Sequence, residues 1–289
     1  MRYVFANFCS GLGARDMKKF FDRCSEIPVE AVLISILHGS EVKGAIDYAR
    51  RCPKKADLWV DSGAFTIWQQ GGHISAKWLV KQLRSLMPYL KDFRNVFPVA
   101  LDVIPGARGQ KPSQKQINSA VKESVKNAEY MIAEGMNVVP VHHQGDPLEV
   151  FSQYQEIAEY VGISPANDQS IPSRVEYVKS LLPLIDLKNP IPCHSFGNVS
   201  PKVVQAFPFY SADAASWKQS IYYGQDFSLT HTKRYVRQTG FYKLKGRFQK
   251  VSVSFESVRK CLDYQKQNDN FWSYRNVYAC EPQTFKRTL

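Results

Sequence analysis

Short apolar runs rich in β-branched residues recur along the chain at 3–9, 31–37, 57–63, 96–103, 137–144, 160–165, 191–197 and 209–216. Amphipathic stretches separate them. A brief, continuously apolar run inside such an alternation is what a strand of a parallel sheet needs, because helices cover both of its faces. The stretch 76–86 places Leu79, Leu83 and Leu86 on one side of a helix, and 113–134 opens on Pro112-Ser113 and closes at Gly135, as helix caps require. Eight strand–helix units predict an α/β chain closed into a (β/α)₈ TIM-like barrel of about 250 residues. An open, doubly wound sheet is the alternative. Its glycine-rich dinucleotide turn is missing after the first run, where Gly11-Leu12-Gly13 supplies only a G-x-G.

After Trp217 the pattern changes: aromatic and basic residues interleave over 233–248, and a further helix is predicted over 255–267. The division expected is a catalytic barrel over 1–217 and a basic, aromatic-rich extension over 218–289 packed on it. Charge sharpens this. The chain carries a formal +12, and residues 218–289 hold 14 Lys and Arg against 5 Asp and Glu. Such an excess is the footprint of a polyanion partner, with Lys233, Arg234, Arg237, Lys243, Lys245 and Arg247 as the candidate phosphate contacts. A merely solubilising basic tail is the competing reading. The six cysteines form no C-x-x-C pair, so neither a disulfide framework nor a cysteine zinc ribbon is signalled. No apolar run approaches the roughly 18 residues of a membrane span. The N-terminal run resembles a first strand rather than a signal peptide, so the expected location is the cytoplasm.

In a barrel the active site lies at the C-terminal ends of the strands. Asp61, Asp102 and Asp213 each follow an apolar run there, where an ionised group is costly unless paired or used. Each would serve equally well as a helix cap or turn residue. Of the neighbours His142 and His143, strand alternation turns only one toward the pocket. Two carboxylates facing one pocket suit glycosidic chemistry, one at the sugar C1′ and one managing the leaving group's proton.

The ordered strand ends resemble the tRNA-guanine transglycosylase superfamily, and more closely its DNA-modifying branch, the 7-deazaguanine transglycosylases of phages and bacterial DNA-modification islands. The likeness covers the barrel. Val60-Asp61-Ser62-Gly63-Ala64-Phe65 is similar to the family's Asp-Ser-Gly-Gly-Phe/Tyr motif, with Ala64 in place of the second glycine. Asp102 ahead of Pro105, Gln144-Gly145 and Gly162-Ile163 match the base-binding positions. Asp213-Ala214-Ala215-Ser216-Trp217 and His194-Ser195-Phe196-Gly197 resemble the DNA branch.

The resemblance implies exchange of guanine in DNA for a 7-deazaguanine base of the preQ0 or preQ1 kind. Asp213 would be the nucleophile and Asp61 the general acid/base. Ser62, Gly63, Phe65, Asp102, His143, Gln144, Gly145, Gly162, Ile163, His194, Phe196 and Gly197 would form the base site. DNA and a free 7-deazaguanine base are the implied partners, with no cofactor. The zinc-ligating Cys-x-Cys-x₂-Cys…His of the tRNA enzymes is missing from 218–289, so no metal is expected. The same exchange on tRNA, an N-glycosidic hydrolase, and a non-enzymatic nucleic-acid-binding barrel are the alternatives.

Overall fold

The computed structural model describes residues 1–12, 14–106, 110, 112–218 and 247–273. Eight parallel strands run in the order β4-β3-β2-β1-β8-β7-β6-β5. They are β1 (Arg2–Ala6), β2 (Ala31–Ser35), β3 (Asp57–Asp61), β4 (Val96–Pro98), β5 (Val141–His143), β6 (Val161–Ser164), β7 (Cys193–Ser195) and β8 (Ser211–Ala214). A parallel bridge between Val99 and Val139 joins the two ends of this order. There Val139 N donates to Pro98 O at 2.8 Å and Ala100 N to Val139 O at 2.9 Å. The sheet thus curls onto itself as a (β/α)₈ barrel, as the alternation of runs predicts.

The helices are α1 (Ala14–Cys24), α2 (Gly39–Arg51), α3 (Ala64–Gln69), α4 (Ala76–Leu86), α5 (Gln114–Ala133), α6 (Leu148–Ile157), α7 (Ile171–Ser180), α8 (Pro201–Val204) and α9 (Arg247–Ser273). Ser113 caps α5 with a complete capping box to Gln116, which satisfies two backbone donors that no helical carbonyl can reach. Helix α9 lies against α1 and β1. Its Gln265 accepts from Tyr3 N at 2.8 Å and donates to Glu30 at 3.1 Å, so the segment 247–273 is held on the barrel wall.

The predicted runs overshoot the ladders at their C-terminal ends, most of all at β4. Past Ala100 the backbone leaves the sheet: Val103 N donates to Ser124 Oγ and Leu101 O accepts from Asn127 Nδ2, both on α5. Apolar residues continue through the switch because burial continues. The period-two pattern carries no sign of which group completes each backbone hydrogen bond.

Alternation splits the core in two. Val4, Trp59, Phe97, Val99, Val141 and Tyr160 fill the barrel interior, while a larger layer between strands and helices includes Phe5, Phe8, Phe20 and Tyr48. Trp217 belongs to the outer layer, stacked on Phe20 and donating its Nε1–H to Ala6 O at 2.9 Å. All five described cysteines are free and buried. No helix among the described residues is long and apolar enough to cross a membrane.

At the N-terminal end of the barrel Asp57, 2% exposed, is held by Arg94 through two hydrogen bonds of 2.9 and 2.8 Å, by Arg2 at 3.0 Å and by Asn95 at 2.9 Å. Polar groups at this end of a barrel serve stability. Asp57→Ala should therefore cost about 3 kcal/mol, near the lower end for a broken buried ion pair because both arginines reach some solvent. A lowered urea midpoint with an unchanged denaturant slope would register that loss.

Candidate active site

Three carboxylates meet at the C-terminal mouth. Asp61 ends β3 on the interior side, two residues beyond Trp59. Its Oδ2 accepts from Gly63 N at 3.2 Å. Burial, then the charge of Asp102, and to a lesser degree that of Asp213 raise its carboxyl to about 7, against the opposing hydrogen bond from the Gly63 N–H. Gly63 has φ +78°, and a Cβ there would lie 2.3 Å from Leu37 Cδ1, so only glycine turns the chain tightly enough to bring that N–H back onto Asp61.

Asp102 lies just past β4, and its Oδ2 pairs with His143 Nε2 at 2.8 Å. Burial opposes charge on His143, but the hydrogen bond and the charge of Asp102 override it, so the imidazole protonates above its ordinary range. His142 faces the other way, between α6 and α7, with Nδ1 2.7 Å from the Tyr177 hydroxyl. Alternation thus separates the two histidines as expected.

Asp213 is 6% exposed. Its Oδ1 accepts from Gly197 N at 2.7 Å and pairs with His194 Nε2 at 3.2 Å. His194 Nδ1 lies 2.6 Å from Ser211 Oγ, which lies 2.6 Å from the Tyr160 hydroxyl. Trp59 stacks on the His194 ring at 4.1 Å and the Phe196 ring stands edge-on at 4.4 Å.

Several expected base-site residues take other roles. Ser62 is buried, its Oγ accepting from Ala64 N at 3.3 Å as a local turn cap. Ile163 faces outward into the helix-side core, because alternation puts it opposite Gly162. His194 is 0% exposed and sits behind Asp213, out of reach of a ligand. The Gln144 amide is occupied by the chain itself: Oε1 accepts from Ala166 N at 3.1 Å and Nε2 donates to Ser173 Oγ at 3.0 Å.

Gly162 spends its N–H on Pro140 O at 2.7 Å. A Cβ there would lie 2.5 Å from Phe196 Cε2 and 3.1 Å from Val141. Glycine at 162 therefore clears room for a ring rather than offering backbone to a base. Gly162→Ala should cost about 1–3 kcal/mol through overpacking and push Phe196 toward the mouth, which a urea titration alongside ligand affinity would register.

The remaining residues stay at the mouth. Phe65, 58% exposed on α3, lies beside Trp68, whose Nε1–H donates to Gly106 O at 2.8 Å. A cavity of about 210 Å³ adjoins the Asp102–His143 pair, lined by Val103, Pro105, Ile117, His143, Gln144 and Gly145 among others, but by neither Asp61 nor Asp213. Lys233, Arg234, Arg237, Lys243 and Lys245 lie outside the described residues. Arg247 begins α9, but its side chain is likewise outside them. Among the described residues no three His, Cys, Asp or Glu side chains gather as a metal site.

Sequence reasoning missed Tyr160, Ser211 and Trp59, although all three lie on interior positions that counting by twos identifies. It also missed Glu41 and Lys218. Glu41 is buried and accepts from Ser35 N at 2.9 Å and from Ser10 Oγ at 3.3 Å. Lys218 donates to Ser10 O at 2.6 Å, and burial lowers its ammonium to about 8. Nothing in an amphipathic helix or after a strand end marks such residues in advance.

No family model and no curated protein matches this chain. Solved structures with a similar backbone include a cube-shaped, highly porous protein cage designed by fusing symmetric oligomeric domains. It is 10% identical at a TM-score of 0.50, over 96% of this chain and 78% of that one. A mutant tryptophan synthase alpha-subunit from Pyrococcus furiosus is 11% identical at 0.49, over 91% and 96%. The 4-hydroxy-tetrahydrodipicolinate synthase of Methylacidiphilum fumariolicum SolV is 9% identical at 0.48, over 93% and 99%. At such identities the likeness concerns the fold alone, and chemistry has to be argued from the site.

Proposed function

We propose that the chain is a pentosyltransferase that exchanges guanine in DNA for a 7-deazaguanine base. The observation that carries this reading is the pair of interior carboxylates in unlike settings. Asp61 is raised to about 7, and Asp213 is held through one oxygen by the Gly197 N–H and the His194 imidazole. A group titrating near neutrality can give and take the same proton at little cost, and an anchored carboxylate can attack. Asp213 Oδ2 attacks C1′ and the C1′–N9 bond breaks, its electron pair leaving with guanine as Asp61 donates a proton. The incoming base then loses a proton to Asp61 and attacks C1′, and the C1′–Oδ2 bond breaks to restore the carboxylate. Asp102 Oδ1 accepts from the N1–H and 2-amino group of the base, while His143 Nε2 pairs with its other oxygen. Phe65 and Trp68 offer aromatic surface at the rim for a flipped or single-stranded base. The cations of 233–247 would hold flanking phosphates, so affinity should fall steeply with salt.

The test is incorporation of isotope-labelled guanine into guanine-containing single-stranded DNA and, in parallel, into tRNA. Label in DNA, displaced by a 7-deazaguanine base, supports the reading. Label only in tRNA moves the acceptor, and release of base to water without incorporation replaces exchange with hydrolysis.

A further inference from the structure

Tyr160, Ser211, His194 and Asp213 form one hydrogen-bonded line through the barrel interior, with steps of 2.6, 2.6 and 3.2 Å. The direction of its protons follows from its closed end. The Tyr160 hydroxyl is fully buried, and among the described residues Ser211 Oγ is its sole hydrogen-bond partner. A buried O–H without an acceptor costs about 1–3 kcal/mol, so Tyr160 donates to Ser211. The Ser211 proton is then free only for His194 Nδ1. A ring that accepts at Nδ1 carries its proton on Nε2, facing Asp213 Oδ1. In the reverse order Asp213 would hold a proton and the Tyr160 proton would point at no acceptor. Burial, which lowers the basicity of His194 despite the nearby Asp213, agrees with a neutral ring. Trp59 on its face and Phe196 at its edge keep the ring from turning over.

We infer that His194 is a positioning residue for Asp213, a neutral Nε2–H donor whose polarity is set by the closed, buried end of this line, where the Ser211 proton can meet only Nδ1. The inference rests on the reading of Asp213 as nucleophile. His194 and Gly197 N both bind Oδ1, and Oδ2 accepts from no group among the described residues, so the line selects Oδ2 as the attacking oxygen. The same two donors act again in the second half. As C1′–Oδ2 breaks, its electron pair returns to the carboxylate, and hydrogen bonds already aimed at Oδ1 strengthen as charge develops there.

Two measurements test this. The first is an ¹⁵N–¹H long-range correlation spectrum of the histidine-labelled chain, which is indifferent to activity. His194 should appear as the neutral Nε2–H tautomer across neutral pH, whereas an Nδ1–H tautomer or an imidazolium overturns the inference. The second uses two variants of similar bulk. The amide of His194→Gln reaches the place of Nε2, whereas that of His194→Asn reaches only the place of Nδ1. With labelled guanine and DNA, His194→Asn should lose about 10²–10³-fold in kcat, the scale of one charge-stabilising donor, at an unchanged KM. His194→Gln should stay within about tenfold of the native chain. Tyr160→Phe, which leaves His194 Nδ1 as the only acceptor for the Ser211 proton, should keep the Nε2–H tautomer and hold kcat within a few-fold of the native chain. Equal activity of the Gln and Asn variants overturns the positioning role. If the native chain exchanges no base at all, the functional reading falls, while the spectrum still decides the polarity of the line.

Discussion

Asp213→Asn is expected to lower the proposed base exchange by about 10⁴-fold or more, because asparagine keeps the shape and loses the carboxylate proposed as nucleophile. The amide oxygen can still accept from Gly197 N and His194, so the line of hydrogen bonds and the fold should survive. Circular dichroism and the urea midpoint should match the native chain closely. No sugar adduct should form on position 213 when guanine-containing DNA is trapped by denaturation, whereas the native chain should yield one. Exchange retained within tenfold in Asp213→Asn would remove this carboxylate from the chemistry and favour a barrel that only binds nucleic acid.

Asp61→Asn carries the second large effect. Its carboxyl titrates near 7 because burial, Asp102 and Asp213 all penalise the charged form. If Asp61 protonates departing guanine as proposed, single-turnover adduct formation should fall about tenfold per pH unit above that value. Asp61→Asn should flatten this limb and lower the rate by about 10²–10⁴-fold.

Stability moves the other way. Between about pH 4, where an unfolded Asp titrates, and about 7, the folded chain binds more protons than the unfolded one, so stability declines as pH rises through that window. Removing the charge should raise Tm at pH 8 by about 2–8 °C, equivalent to about 1–2 kcal/mol, and erase the difference below pH 4. A variant that loses stability at pH 8 would mean that Asp61 is ionised and paired rather than strained. A trade of stability for a poised group is a familiar property of catalytic sites.

The placement of the candidate residues was legible because a parallel barrel converts sequence order into spatial order. Asp61, Asp102, His143 and Asp213 each follow a run that had to be a strand, and strands of a closed barrel share one mouth. The errors cluster where a motif's neighbours were taken as a block. Asp61-Ser62 and Gly162-Ile163 are each split by the pleat, one residue facing the pocket and one facing away. Gln144 sits correctly at its strand end, yet its amide is consumed by Ala166 and Ser173, residues 22 and 29 positions further on.

By itself the sequence determined the (β/α)₈ architecture, the order of the elements and the strand ends that carry carboxylates, because the period of the apolar pattern is a local property. The partners were decided only by the tertiary structure. Which donor meets Asp213, why Gly162 lacks a side chain, and how far Asp61 rises all depend on groups brought together from distant strands. Their effect is a matter of distance and burial, and neither is written in the spacing of residues along the chain.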